Sequence, residues 1–371
     1  MFDPEIWAKV PFHFWSLTFF IFGCLVGSFL NVCIHRMPRD ESIVSPPSHC
    51  PHCKYSIPFY LNIPLVTWLY LRGKCANCKA PISARYFLVE LLTGVAFLFC
   101  WLQFGKISAL LAIAYCVLMA GFIVATFVDF EHFIIPDEIT IGGIAAGFIC
   151  SFAVPSLQFD LPGFQRLQDP MKAMQQSLLG LAVGGGLVYG ILRLGKLVFG
   201  RQKIPLAPGS KVFFTETCLK LPEQELPYEE IFYRPSDAIV LRARHLEMVD
   251  RCYIETTIRL QPEKLQIGDD TFSPDAVPHM EAVADEIVLP REAMGLGDVK
   301  FMAAIGAFLG WPAVLFSLAV SSMIGSVVGI TLIALKKQEW SSRLPYGPYI
   351  ALAAVIWVFG GYHWMQSFFS R

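Results

Sequence analysis

Charge is scarce in this sequence. Only 16% of its 371 residues are Asp, Glu, Lys or Arg, against roughly 25% in ordinary soluble domains. The 29 Lys and Arg nearly cancel the 30 Asp and Glu, leaving a net charge of -1. That balance argues against nucleic acid as a partner, because no bulk positive charge exists to meet phosphates. A glycine-rich dinucleotide turn after a strand is also missing, so no Rossmann-type nucleotide site is visible. No internal repeat of hydrophobic segments is seen, which weighs against a transporter built from repeats. The first apolar run is too long for a secretory signal peptide, and no small-residue cleavage site follows it.

Apolar residues fill the space that charge leaves: they make up 55% of the chain, and mean hydropathy is +0.52. A membrane span needs about 20 predominantly apolar residues. Candidate spans lie at 13–35, 85–104, 107–128, 138–155, 173–199, 299–316, 318–335 and 346–368. Gly310-Trp311-Pro312 interrupts the sixth and seventh, so one helix there is expected to be short or re-entrant. The expected fold is an all-α polytopic membrane protein of about eight helices. Lys and Arg crowd the 36–85 segment (Arg36, Arg39, Lys54, Arg72, Lys74, Lys79, Arg85), and Lys336, Lys337 and Arg343 lie before the last span. The positive-inside rule places both stretches in the cytoplasm. The same count brings Asp129 and Asp298 out on that side.

The first loop carries Cys50-Pro-His-Cys53 and, 21 residues on, Cys75-Ala-Asn-Cys78. Two such turns can complete a tetrahedral zinc site of Cys50, Cys53, Cys75 and Cys78. Four protein ligands leave no open position, so the zinc is expected to be structural, stapling a loop with too little core to fold alone. Lys54 and Lys74 flank the pairs and are expected to lower the thiol pKa values; His52 is a further candidate ligand. Two disulfides are the alternative, which a cytoplasmic location disfavours. Cys24, Cys33, Cys100, Cys116, Cys150, Cys218 and Cys252 show no pairing.

Two carboxylates sit at the edges of apolar runs, where charge is costly. Asp129 ends one run in Phe127-Val128-Asp129, at a helix C-terminus where an acid is unfavourable. Asp298 precedes another in Gly295-Leu296-Gly297-Asp298-Val299-Lys300, where it is either a helix cap or a reactive group. Gly295 and Gly297 allow close backbone approach, which a cap does not need. Asp137, after Pro136, is a cap candidate and a second-tier site residue. Glu131 and His132 read as solvated loop residues. Two carboxylates sharing one proton are the machinery of an aspartic protease.

These residues resemble the bacterial type IV prepilin peptidases, membrane aspartic proteases of the Gly-x-Gly-Asp type that also act as N-methyltransferases. The resemblance rests on Gly27-Ser28-Phe29-Leu30-Asn31-Val32 with His35-Arg36-Met37-Pro38, the two cysteine pairs, Pro81 to Tyr86 with Val89 to Gly94, Asp129 with Ile135-Pro136-Asp137, the Gly295 to Lys300 motif, and Leu344-Pro345-Tyr346-Gly347-Pro348. It covers about 1–200 and 291–371. It implies an enzyme of the bacterial inner membrane with Asp129 and Asp298 as catalytic dyad. Its partners are then membrane lipid and prepilin or pseudopilin substrates, each cut after a glycine that follows a basic leader. It also implies methylation of the new N-terminus with S-adenosylmethionine as donor, a function the resemblance associates with the four-cysteine loop. Gly73 and Lys74 are the candidate donor contacts there, with a ribbon turn as the plainer role.

Segment 201–290 departs from that pattern, being longer than the family's usual connection. Alternation at Lys211–Thr215, Ala238–Arg242 and Cys252–Leu260 predicts strands, and Gly268-Asp269-Asp270 a turn. A small cytoplasmic β-rich insert is expected. The division read from sequence is therefore 1–35 first span, 36–84 four-cysteine loop, 85–200 helices, 201–290 insert and 291–371 motif and final helices. Peptidase activity without methyl transfer, a proton-coupled transporter, and a zinc-ribbon scaffold with capping aspartates are the rival readings.

Overall fold

The computed structural model describes residues 11–160, 165–199, 201–222, 225–232, 237–277, 279–290, 295–335 and 344–369. Lys336, Lys337 and Arg343, used above for topology, lie outside them. The chain forms two units, Met1–Tyr189 with Gly295–Arg371, and Gly190–Met294.

The first unit is helical: α1 (Phe12–Arg36), α2 (Ala84–Phe104), α3 (Ala109–His132), α4 (Asp137–Ala153), the start of α5 (Pro170–Phe199), α6 (Leu296–Leu309), α7 (Trp311–Ala334) and α8 (Gly347–Ile356). A π-turn at Trp357–Gly361 and a last helix at Tyr362–Phe369 follow. Among the described residues, α1, α2, α3, α5 and α7 are long and apolar enough to cross a membrane. The other expected spans are helical but shorter: α4 has 17 residues, α6 has 14 and α8 has 10.

The sixth and seventh expected spans divide earlier than their hydropathy indicates. The break falls at Gly310, whose φ of +80° suits glycine, and Pro312 opens α7;. At about 1.5 Å per residue α6 is about 21 Å long, well short of a hydrocarbon core of about 30 Å. It is nonetheless the most enclosed helix, with every residue from Phe301 to Gly310 buried. A helix that is apolar all round belongs inside.

Small residues allow that enclosure. A β-carbon on Gly306 would stand 2.0 Å from the Gly180 carbonyl oxygen of α5, and one on Gly184 would stand 2.5 Å from the Met302 carbonyl oxygen. The backbones therefore touch, as small-residue helix contacts in membranes do. The early end of α6 leaves carbonyls that water cannot reach. Side chains take its place: the Ala307 oxygen accepts from Ser177 Oγ (2.7 Å), Gln158 Nε2 (3.0 Å) and Ser151 Oγ (3.2 Å), and the Phe308 oxygen from Gln158 Nε2 (3.0 Å).

The second unit is an eight-stranded antiparallel sheet: β1 (Arg201–Phe214), β2 (Cys218–Lys220), β3 (Glu225–Pro227), β4 (Ile239–Met248), β5 (Cys252–Leu260), β6 (Leu265–Ile267), β7 (Asp270–Phe272) and β8 (Met280–Pro290), in spatial order 3-2-1-8-4-5-6-7. The three expected strands are present in β1, β4 and β5, with Thr215 and Ala238 falling just outside β1 and β4. Gly268 turns the chain at φ +57° between β6 and β7. The β8 strand was not anticipated. It sits centrally and alternates, with Met280, Ala282, Ala284, Ile287 and Leu289 in the core; a register shift lies between Ala284 and Ile287. Its two alanines and intervening acids gave it weak β character on paper, and central pairing overrides that.

Candidate active site

Three helix ends meet around the two aspartates. Asp129 lies in the last turn of α3, which runs on to His132 before Phe133 turns left-handed at φ +56°. The chain then crosses Ile134-Ile135-Pro136 into α4. Asp298 sits in the first turn of α6, and Gly347 is the first residue of α8. Ile135 joins them: it is buried, lies against Gly297 and reaches Gly347 with its Cδ1.

Asp129 is 5% exposed and Asp298 9%. The Gly347 amide donates to Asp129 Oδ2 at 2.8 Å, so a carboxylate at the wrong end of its own helix faces the positive end of another. Asp298 is not the N-cap that its position allowed. Gly295 holds that place, and the Gly295 amide donates to Asp298 Oδ2 at 3.2 Å, the back-bond of a capping box;. Gly347, which bonds Asp129, and Gly297, next to Asp298, both lie against Ile135, so the two acids share one neighbourhood. The structure therefore brings Asp129, Asp298, Gly295 and Gly297 together. It also adds Gly347, whose motif was visible in the sequence but whose amide was given no role.

Asp137 is no cap either. It is the first residue of α4, exposed, and both its oxygens meet Lys300 Nζ, at 2.6 and 2.9 Å. The pair ties the start of α4 to the start of α6, two residues beyond Asp298. Lys300 was missed because nothing in a linear reading pairs positions 163 apart. Glu131 and His132 belong to α3 rather than to a solvated loop. Glu131 pairs with Arg85, and the Nε2 of His132 is buried.

The four cysteines form one cluster, every sulfur within 4.8 Å of the others. Cys50 and Cys78 sulfurs are 3.8 Å apart, and those of Cys53 and Cys75 4.0 Å. A tetrahedral ion with metal–sulfur bonds of about 2.3 Å sets its sulfurs about 3.8 Å apart, so the thiols are spaced to accept zinc. The two halves match. In each, the residue after the second cysteine is left-handed (Lys54 at φ 57°, Lys79 at φ 61°) and its amide bonds back to the first cysteine's carbonyl, Lys54 to Cys50 and Lys79 to Cys75. His52 stands outside the cluster. The flanking lysines do not set the thiol acidity. The Tyr55 amide leads in holding the Cys53 thiol down at about 6, and the Cys78 and Asn77 amides lower Cys75, while desolvation and the three neighbouring thiols push Cys78 up to about 11. Gly73 turns at φ +66° with Trp68 against it, which gives this candidate donor contact a local structural reason; Lys74 forms an isolated bridge with Pro81.

Known families meet the chain at both regions. The bacterial peptidase A24 N-terminal domain matches residues 21–104, and the type IV leader peptidase family matches residues 278–330. A type 4 prepilin-like proteins leader peptide-processing enzyme of Escherichia coli O78:H11 is 34% identical over 200 residues, 49% of this chain and 68% of that protein. The chain belongs to the type IV prepilin leader peptidase family. A prepilin leader peptidase/N-methyltransferase of Aeromonas hydrophila is 27% identical over 95% of this chain and 94% of its own length. One of Myxococcus xanthus is 39% identical over 48% of this chain and 49% of its own. No solved structure matches.

Proposed function

We propose that this chain is a bifunctional enzyme of the bacterial inner membrane. It cleaves the basic leader of type IV prepilins and pseudopilins after a glycine, at the cytoplasmic face, and methylates the new N-terminal amine with S-adenosylmethionine. The observation that carries the peptidase half is the burial of Asp129 and Asp298 at helix ends that Ile135 joins, through its contacts with Gly297 and Gly347. One carboxylate takes a proton from water while the other gives one to the substrate carbonyl oxygen. Close like charges keep a single proton on the pair, so the two titrate as a unit. Each accepts one backbone amide, from Gly347 or Gly295, which orients it. Gly297 leaves room beside Ile135, and Asp137 steadies the motif through Lys300.

The eight helices make the membrane domain, with the short α6 held inside it by its neighbours. The four-cysteine loop and the 201–290 insert face the cytoplasm, where the cationic leader remains while the apolar pilin helix stays in lipid. Zinc held by Cys50, Cys53, Cys75 and Cys78 is structural, since four thiolates close the site. Gly73 and Lys74, beside Cys75, are the donor contacts on the same loop.

The test is cleavage of a prepilin with its basic leader by the reconstituted protein. Asp129→Asn and Asp298→Asn each keep the side-chain shape, and each is expected to lose at least about 100-fold in rate, the usual worth of a positioned acid or base. Normal cleavage by either variant rejects the dyad.

A further inference from the structure

Segment 59–70 of the four-cysteine loop exposes apolar side chains that the fold leaves uncovered. Phe59 is 89% exposed and Tyr70 79%, and Tyr60, Ile63, Val66 and Leu69 are also exposed. A loop surrounded by water does not gather six such residues without a partner.

Two contacts fix where this face stands. The Leu65 amide donates to Glu90 at 2.7 Å, and the Trp68 ring lies against Phe87 with centroids 5.2 Å apart. Phe87 and Glu90 are in the first two turns of α2, a helix of membrane-crossing length. Leu65 is held at φ +61° by this arrangement, unusual for a residue with a β-carbon. The segment is therefore pinned at the level where α2 enters the bilayer. A cleft of ≈ 270 Å³ is lined by Leu25, Ser28 and Phe29 of α1 together with Val44, Pro46 and Pro64 of the loop. Leu25 and Phe29 are exposed residues of a span, so the loop meets α1 at lipid-facing side chains.

Charge points the same way. From Ser42 to Ser83 the chain carries Lys54, Arg72, Lys74 and Lys79 and no Asp or Glu. Aromatic and aliphatic side chains flanked by cations are what an anionic bilayer surface takes up.

We infer that segment 59–70 is an interfacial anchor. Its apolar face enters the headgroup–acyl boundary of an anionic membrane and lays the four-cysteine loop flat on the bilayer. The inference rests on reading α1 and α2 as spans, and the experiment below keeps that reading separate.

The full chain is reconstituted at one copy per nanodisc with phosphatidylglycerol and a phospholipid bearing a photoactivatable carbene precursor near the glycerol. Adducts are then mapped by mass spectrometry. Expected are adducts on Phe59, Leu69 or Tyr70 as well as on α1, with those on the loop falling several-fold when phosphatidylcholine replaces phosphatidylglycerol at low salt. Labelled spans with an unlabelled 59–70 segment overturn the anchor and leave the spans intact; unlabelled α1 and α2 overturn both. Loop adducts that appear only when two copies share a disc also overturn it, in favour of a second copy of the chain. The triple variant Phe59→Ser, Leu69→Ser, Tyr70→Ser tests the consequence. It is expected to keep its bound zinc while the loop becomes several-fold faster to cut with added protease; unchanged cutting counts against the anchor.

Discussion

The amide of Gly347 donates to the carboxylate of Asp129 across 2.8 Å, joining residues 218 apart in the chain. The site thus depends on the start of α8 as much as on the two helices that carry the acids. A β-carbon on Gly347 would come 2.9 Å from Asp129 Oδ2 and 3.1 Å from Ile135 Cδ1. Gly347→Ala is therefore expected to push the carboxyl from its amide and to cut prepilin cleavage by about tenfold or more, since small misplacements of a reacting group are costly. Steady-state rates beside thermal unfolding separate this from misfolding: the rate should fall far more than the melting temperature.

The ion pair of Asp137 and Lys300 makes a different prediction. Both side chains are partly exposed, and exposed pairs contribute about 0.2–1 kcal/mol. Lys300→Ala and Asp137→Ala are each expected to destabilise by no more than about 1 kcal/mol, with coupling in a double-mutant cycle. If the pair also steadies the motif, the swap Asp137→Lys with Lys300→Asp recovers part of the cleavage that each single change loses. Equal activity in all four proteins removes Asp137 from the supporting set.

Much of the site could be read in the sequence because its chemistry is local. The cysteine spacing, and the acids at the edges of apolar runs, depend on neighbours a few residues away. What escaped the reading depends on distance or on geometry inside a turn. Lys300 acquires its role from Asp137, and Gly347 from Asp129, across gaps that no period spans. Asp298 is legible as a helix-start residue but not as N3, because Asp is the stronger N-cap former on sequence alone, whereas Gly295 holds that place;. The interruption read at Gly310-Trp311-Pro312 is where α6 ends short and α7 begins; only the span bounds drawn from hydropathy fell later, because the run stays apolar on both sides of Gly310. The lysines beside the cysteine pairs are visible in the sequence, whereas the amides that lower Cys53 and Cys75, and the crowding that raises Cys78, are not.

Zinc gives a third prediction. The Cys50→Ser, Cys75→Ser double variant takes one ligand from each half and is expected to drop bound zinc from about one per chain to near zero by metal analysis. Loss of the staple should abolish methyl transfer from labelled S-adenosylmethionine while leaving cleavage within a few-fold, if the loop serves the second activity alone. Methyl transfer that survives zinc loss moves the donor site off the loop.

The last prediction concerns how a helix too short to span is held in place with Asp298 in its first turn. The position of α6 relies on backbone contact with α5, where Gly180 and Gly306 leave no space for a β-carbon. Carbonyl oxygen cannot move aside as a flexible side chain can, so Gly180→Leu is expected to destabilise by about 3 kcal/mol or more and to lose activity with it. Gly186, on the same helix, has nothing within 4 Å of its β-carbon position; Gly186→Ala is expected to be neutral or stabilising by up to about 1 kcal/mol, the helix-propensity gain. Gln158→Ala lies between these. It removes donors from the Ala307 and Phe308 carbonyls at the buried end of α6, and an unsatisfied buried group costs about 1–3 kcal/mol. Thermal unfolding in one detergent should therefore rank Gly186→Ala above Gln158→Ala and Gly180→Leu last. A Gly180→Leu protein as stable as the parent would mean that α6 is not packed backbone to backbone, and its aspartate would then need another support.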